Sequence, residues 1–173
     1  MTPASPLVCE PIEMTSTPAV SDFAALYERH YEMVFRAALR VTGRPADAED
    51  VLQTVFLRIL SGREVEASKR PAAYFRRAAV NAAVDILRRR ASHGETSLDD
   101  GAPHAVIDRP VLLKEQLRRA IATLDRDDAS LFLLRHVEGL SIEELAGMFQ
   151  LERNNVTVRL HRIRLRLKAE LER

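Results

Sequence analysis

LSIEELAGMFQLERNNVTVRLHRIRLRLK, from Leu140 to Lys168, is the stretch whose reading decides the fold. Ser141 followed three residues later by Glu144 is a capping box, the mark of a helix start. Ile142, Leu145 and Phe149 continue as an apolar stripe at helical spacing. Ala146 is small enough to let a second helix cross closely. A break at 150–152 precedes a second helix in which Val156, Leu160, Ile163 and Leu167 recur at steps of four, three and four. The remaining faces carry Arg153, Asn154, Asn155, Thr157, Arg159, His161, Arg162 and Arg164. One face docks the helix and the other offers cations and amides. Arginine matches guanine edges, asparagine matches adenine edges, and spare arginine neutralises phosphate. The pattern predicts a helix-turn-helix with its second helix in the major groove of DNA. A bare amphipathic hairpin with a solvated basic face is the competing reading. The joint pattern of cap, small residue, turn and basic second helix favours DNA.

Working outward, the chain has 173 residues, enough for one domain or two small ones. With abundant Ala, Leu and Arg, six Gly and no Trp, it reads as all-α. The formal net charge is only +1, so the total does not announce nucleic acid. The distribution does. Lys69, Arg70, Arg76, Arg77, Arg88, Arg89 and Arg90 face only Asp85, and the C-terminal helix is also basic. Acids gather at 47–50, 99–108 and 125–128. Two basic surfaces in a nearly neutral chain point to two nucleic-acid contacts. Cys9 is the one cysteine, so one chain holds neither a disulfide nor a cysteine-based zinc site. It reads as an incidental residue of the tail rather than a redox or lipid site. No apolar run has the length of a membrane span, and the start lacks the basic-then-apolar order of a secretory signal. A cytoplasmic protein is expected.

Residues 1–20 hold four prolines and no periodicity, and read as a disordered tail. A first helix begins near Ser21. Tyr27, Tyr31, Val34, Ala38 and Val41 form its inner face, widened by Phe23, Leu26 and Phe35, and Gly43 ends it. Asp47 reads as the cap of a second helix, with Val51, Val55, Phe56, Ile59 and Leu60 buried, up to Gly62. After a polar loop, Pro71 opens a third helix with Phe75, Ala79, Ala82 and Ile86 inward. Arg77, Asn81 and Arg88 share another face at i, i+4 and i+11. That face reads either as a strip that holds a nucleic-acid strand or as a solvated surface, and the density of arginine favours the strand. Residues 92–111 lack any helical stripe and read as a linker. Helices resume with Leu117, Ile121 and Leu124, then Leu131 and Leu134, up to Gly139. About three helices thus precede the linker and about four follow it, each set near the size at which one core is marginal.

No enzyme signature is present: no phosphate loop, no metal-ligand spacing and no nucleophile elbow. His30, His93, His104, His136 and His161 are scattered, and no catalytic residue, metal or cofactor is expected.

Taken in order, four stretches resemble the extracytoplasmic-function sigma factors of the sigma-70 family. They are DAEDVLQTVFLRIL (Asp47–Leu60), RPAAYFRRAAVNAAVDILRRR (Arg70–Arg90), LFLLRHVEGLSIEELAGMF (Leu131–Phe149) and NNVTVRLHRIRLRLK (Asn154–Lys168). The resemblance spans nearly everything from Phe23 to Leu171. It implies an all-α protein of two small helical domains joined by a flexible linker: a tail (1–20), a region 2 domain (21–91), the linker (92–111) and a region 4 domain with the helix-turn-helix (112–173). It implies binding to bacterial core RNA polymerase and promoter DNA, and an anti-sigma factor as a further partner. Asp47, Asp50 and Gln53 would meet the polymerase. Lys69, Arg70, Tyr74, Arg77, Asn81 and Arg88 would hold the −10 element, the loop 62–70 capturing an unstacked base. Arg135, Arg153, Asn154, Asn155, Thr157, Val158, Arg159, His161 and Arg162 would read the −35 element. The chain departs from the pattern at Gln150, where glycine is usual in the turn, at Glu152, where a capping serine is common, and at Leu60 and Tyr74, where tryptophan is frequent. Val158 replaces a commonly polar contact and suits a thymine methyl. A helix-turn-helix regulator acting without polymerase is the alternative, and an interaction module with no DNA role is a third.

Overall fold

The structure is a computed structural model and describes residues 20–61, 71–93 and 109–172. Seven helices account for its regular structure: α1 (Val20–Thr42), α2 (Pro45–Leu60), α3 (Pro71–His93), α4 (Arg109–Thr123), α5 (Arg126–His136), α6 (Ile142–Phe149) and α7 (Arg153–Leu171). Helix α3 therefore runs two residues past the sequence-based boundary and α4 starts three before it. Residues 94–108, most of the expected linker, lie outside the described residues, as do Cys9, Gly62, Lys69 and Arg70.

Local chemistry sets the ends of the elements. Gly43 takes φ 75° and Gly139 φ 73°, the left-handed geometry that lets α1 stop and lets the chain turn into α6. A Cβ on Gly43 would also run into the guanidinium of Arg118 on α4. Pro71 is the first residue of α3. Ser141 and Glu144 form both bonds of the capping box on α6, and Asp125 caps α5 by accepting from the Asp128 amide at 2.9 Å. Asp47 does not cap α2. Arg44 occupies that position with no side-chain bond and Pro45 follows, leaving Asp47 in the first turn. Ser21 is likewise inside α1 rather than before it.

Helices α1 and α2 pack on one another and on α3. Val34, Ala38, Val51, Val55, Phe75 and Ala79 are completely buried between them. Phe56 lies 5.3 Å from Phe75 and 4.7 Å from Tyr27, between ring centroids. His30 stacks on Phe75 at 4.5 Å, and its Nε2 has no hydrogen-bond partner among the described residues. Two sequence expectations fail here. Tyr27 and Tyr31 are 37% and 45% exposed, stacked on each other at 5.6 Å, and Leu60 is 47% exposed. Each continues a helical repeat past the point where another helix covers it.

Helix α3 is also covered on its opposite side, by α4 and α5. Ala78, Ala79, Val80, Ala82, Ala83, Val84, Ile86 and Leu87 are all buried, so the helix is apolar nearly all round. The seven helices thus enclose a continuous set of buried side chains rather than two separate cores.

Gln150 is the one non-glycine residue at positive φ among the described residues, at φ 54° and ψ 43°. A side chain in that region costs roughly 1–2 kcal/mol. Gln150→Gly is expected to stabilise the fold by about 1 kcal/mol, less than the strain because glycine is freer when unfolded. The melting temperature should rise by about 2–4 °C.

Burial, and secondarily the nearby Arg29, lowers the pKa of His30 below its usual 6.5. The folded state then favours the neutral ring. Its stabilising effect is complete above the unfolded value and is lost as pH falls below it. Denaturant midpoints should fall between pH 7 and pH 5, and His30→Leu should flatten that slope.

Candidate nucleic-acid interface

Helix α7 carries two faces of opposite chemistry. Val156, Leu160, Ile163 and Leu167 are all at most 4% exposed and anchor it on α4, α5 and α6. The left-handed Gln150 makes the turn, with Leu151 N donating to Ala146 O at 2.9 Å to close the end of α6. Asn154, Asn155, Thr157, Val158, His161 and Arg162 are exposed on the far side. The Thr157 hydroxyl donates back to Arg153 O at 3.1 Å, so its outer surface is largely methyl. Val158 is 48% exposed beside it. Two apolar contacts thus sit between amides and a guanidinium, a set suited to a base-pair edge that carries a methyl group.

Three arginines assigned to this interface from sequence also have structural partners within the fold. Arg159 is ion-paired with Asp128 and lies 3.7 Å from Asp125. Arg166 approaches the other Asp128 oxygen at 3.4 Å. Burial and the hydrogen bond shared with Asp125 push the Asp128 carboxyl above its usual range, against the pull of Arg159. Arg153 is paired with Glu143 and ties α7 to α6. Arg135 donates to Leu140 O at 2.6 Å and holds the segment leading into α6. Helical spacing places a guanidinium on a face, but it does not reveal a carboxylate 31 residues away.

The second basic strip is not open. Arg77 donates to Met148 O at 2.8 Å, and its guanidinium lies 4.6 Å from the Phe149 ring centroid. The Ser130 hydroxyl donates to Asn81 Oδ1 at 2.5 Å. Arg88 donates to Leu124 O. Tyr74 is half-buried and edge-on to Phe75 at 5.6 Å. It lines a 610 Å³ cleft between the start of α3 and α6, shared with Arg76, Glu144 and Met148. The backbone amide of Ser141, more than Arg76 across that cleft, holds the Glu144 carboxyl below its usual range.

On α2, Asp50 and Gln53 are exposed but Asp47 is not. Its carboxylate is ion-paired with Arg90 of α3, both side chains being at most 15% exposed. Leu57 and Leu60, 62% and 47% exposed, extend the line of Asp50 and Gln53 at steps of three, four and three. The spacing was available in the sequence, yet Leu60 reads there as core because it follows Ile59 in an apolar run.

Comparison with known proteins identifies the family. Residues 26–93 match the family model described as sigma-70 region 2, and residues 114–167 match sigma-70 region 4. The chain is 32% identical over 162 residues to an RNA polymerase sigma-E factor of Streptomyces avermitilis, covering 88% of this chain and 87% of that one. The chain belongs to the extracytoplasmic-function group of the sigma-70 family. It is also 30% identical over 147 residues to the sigma factor SigM of Mycobacterium tuberculosis, covering 84% of this chain and 74% of that one. Two solved structures share the fold. One is CnrH in complex with the cytosolic domain of CnrY (TM-score 0.53, 21% identity, 90% of each chain). The other is the sigma factor RpoE with the anti-sigma factor NepR from Bartonella quintana (TM-score 0.50, 20% identity, 88% of this chain and 98% of that one). In this sigma-70 member, the region 2 match holds the α3 strip and the region 4 match holds the exposed face of α7.

Among the described residues no cluster of His, Cys, Asp and Glu has the arrangement of a metal site, and no helix is long and apolar enough to cross a membrane.

Arg162 and Arg159 should separate into different roles. Arg162→Ala is expected to cost roughly 1–3 kcal/mol of duplex affinity and to relax selectivity at one base pair in selection from a random pool. Arg159→Ala leaves the buried Asp128 carboxylate with only the longer Arg166 contact at 3.4 Å, and should instead lower the thermal midpoint with a smaller change in base preference.

Proposed function

We propose that this chain is a promoter-specificity subunit, joining bacterial core RNA polymerase and directing it to a subset of promoters. The observation that carries the reading is the exposed face of α7, Asn154 to Arg162, standing over a fully buried apolar stripe in a region 4 match. In this reading residues 112–173 sit on the −35 duplex. Asn154, Asn155, Thr157, Val158, His161 and Arg162 meet bases and phosphates, while Arg135, Arg153 and Arg159 hold the helices that present them. Residues 21–91 serve the −10 element, with Lys69, Arg70, Tyr74, Arg77, Asn81 and Arg88 along an opened strand. Unpairing a base costs a few kcal/mol, which contacts to the extruded base and its phosphates offset. The bond-forming chemistry belongs to the polymerase, so the chain itself is not an enzyme. It acts in the cytoplasm, where polymerase and chromosome meet.

Asp50, Gln53, Leu57 and Leu60 form the polymerase contact: two polar residues beside two exposed leucines on one face of α2. Asp47 takes no part, because Arg90 occupies it. An anti-sigma factor is the remaining partner. The two solved relatives that share the fold are both held in complexes, one explicitly with an anti-sigma factor.

Run-off transcription with core polymerase across a pool of random promoters tests the reading. The expected result is initiation, dependent on this chain, at a subset sharing −35 and −10 sequences. Duplex binding by the chain alone, with no initiation, would replace it with the polymerase-independent regulator. Asp50→Arg combined with Leu57→Ser should weaken core binding by roughly tenfold or more in a fluorescence titration, with helicity unchanged.

A further inference from the structure

Asn155, Arg159, Arg162 and Arg166 succeed one another on α7 at steps of four, three and four, so they form one row along the helix. At 1.5 Å per residue that row is about 17 Å long, enough to pass several phosphates of one DNA strand. A groove of 550 Å³ runs beside it, lined by Asp128 together with Asn155, Val158, Arg159, Arg162 and Arg166. The groove thus joins the row to the exposed face that carries Val158 and Arg162. Two carboxylates at the start of α5 intrude on the row. Asp128 is ion-paired with Arg159 through one oxygen and approaches Arg166 through the other at 3.4 Å. Asp125 lies 3.7 Å from Arg159. The side chains of Arg159 and Arg166 are nevertheless 34% and 57% exposed, open to a strand laid along the groove. Arg162, between them, has no ion-pair partner among the described residues. The ion pairs tie α7 to α5, and they also withhold two cations from the surface that duplex DNA would meet.

We infer that Asp128 is a positioning residue for base selectivity: it keeps Arg159 and Arg166 off the phosphates, so that Arg162 and its neighbours decide where α7 binds. The inference rests on the assignment of the exposed face of α7 to duplex DNA under the proposed function. Phosphate contacts are alike for every sequence, whereas base contacts are not. A helix that reads bases is held in one register and meets only the phosphates that register offers. On a wrong sequence the helix is free to shift until each loose guanidinium finds a phosphate. Loose arginines therefore strengthen wrong complexes more than right ones, and selectivity is the difference between the two. Asp128 acts by denying the wrong complex those contacts, and it touches no base itself.

Asp128→Asn keeps the size of the side chain and removes its charge. The full chain is titrated with two fluorescent duplexes across a range of salt concentration: one selected by the wild-type chain from a random pool, and one of the same composition in scrambled order. Asp128→Asn should bind the scrambled duplex roughly tenfold more tightly at low salt, and the slope of log affinity against log salt should steepen by about one for each freed arginine. The preference for the selected duplex should fall several-fold. Asp128→Glu should restore the wild-type slope. Asp127→Asn removes the same charge from the neighbouring exposed position and should leave the slope near the wild-type value. Adding Arg166→Gln to Asp128→Asn should take back about one unit of slope. Asp125→Asn, which keeps a capping side chain, should move the slope in the same direction by less. An unchanged slope in Asp128→Asn would overturn the withholding of the arginines, as would weaker binding to both duplexes at unchanged slope, the mark of a purely structural role. Equal strengthening on both duplexes would overturn the selectivity. A wild-type chain that selects no sequence from the pool would remove the base-reading assignment of α7 instead, while the slopes on random duplex still decide whether Asp128 withholds the arginines.

Discussion

Helix α3 is wanted by two partners. Its inner face completes the α1–α2 bundle through Phe75, Ala79 and Ile86, while its outer face, through Val80, Val84 and Leu87, lies under α4 and α5. Alanines at 78, 79, 82 and 83 keep the helix thin, so neighbours approach closely on both sides without leaving voids. Each half of the chain is small for an independent core. Sharing one central helix lets both halves bury more apolar surface than either does alone. The rest of the molecule follows from that sharing: the hydrogen bonds of Arg77 to Met148 O and of Arg88 to Leu124 O, the crossing of Arg118 over Gly43, and the covered strip.

The same geometry explains what was and was not readable in the sequence. The caps and breaks were legible, because Ser141 with Glu144, Gly43, Gly139 and Pro71 act within a turn of their own positions. The buried stripe of α7 was legible because three helices cover it along most of its length. Errors fall where a helix outruns its neighbour or where a charge finds a distant partner. Tyr27, Tyr31 and Leu60 keep the helical repeat but emerge from the bundle. Asp47 reads as a cap or a docking residue, yet Arg90, 43 residues later, takes it. The ion pair that Arg159 makes with Asp128, 31 residues earlier, was likewise not legible. The double burial of α3 was written in AAVNAAVDIL, which is apolar in almost every direction, but three polar residues on one line made that face read as a strip open to a nucleic-acid strand.

Electrostatics shows why the net charge is uninformative. Much of the acid content serves to hold arginines in place: Asp47 on Arg90, Glu143 on Arg153, and Asp128 on Arg159 and Arg166. Removing those pairs from the count leaves Arg162 on the exposed face of α7 without an ion-pair partner among the described residues. The exposed Glu143–Arg153 pair adds little stability. Asp128 differs because it is 8% exposed and bridges two arginines of α7, setting the pitch of that helix on α5.

The shared helix has a consequence on the ribosome. Helices α1 to α3 are complete when residue 93 emerges, but α5 is finished only at His136. At ordinary elongation rates about forty further residues take roughly two to nine seconds. During that interval Val80, Val84 and Leu87 stand bare on a finished three-helix bundle, beside unneutralised Arg77 and Arg88. The nascent chain therefore passes through a sticky, cationic stage, and order of synthesis makes the N-terminal half wait for its own roof.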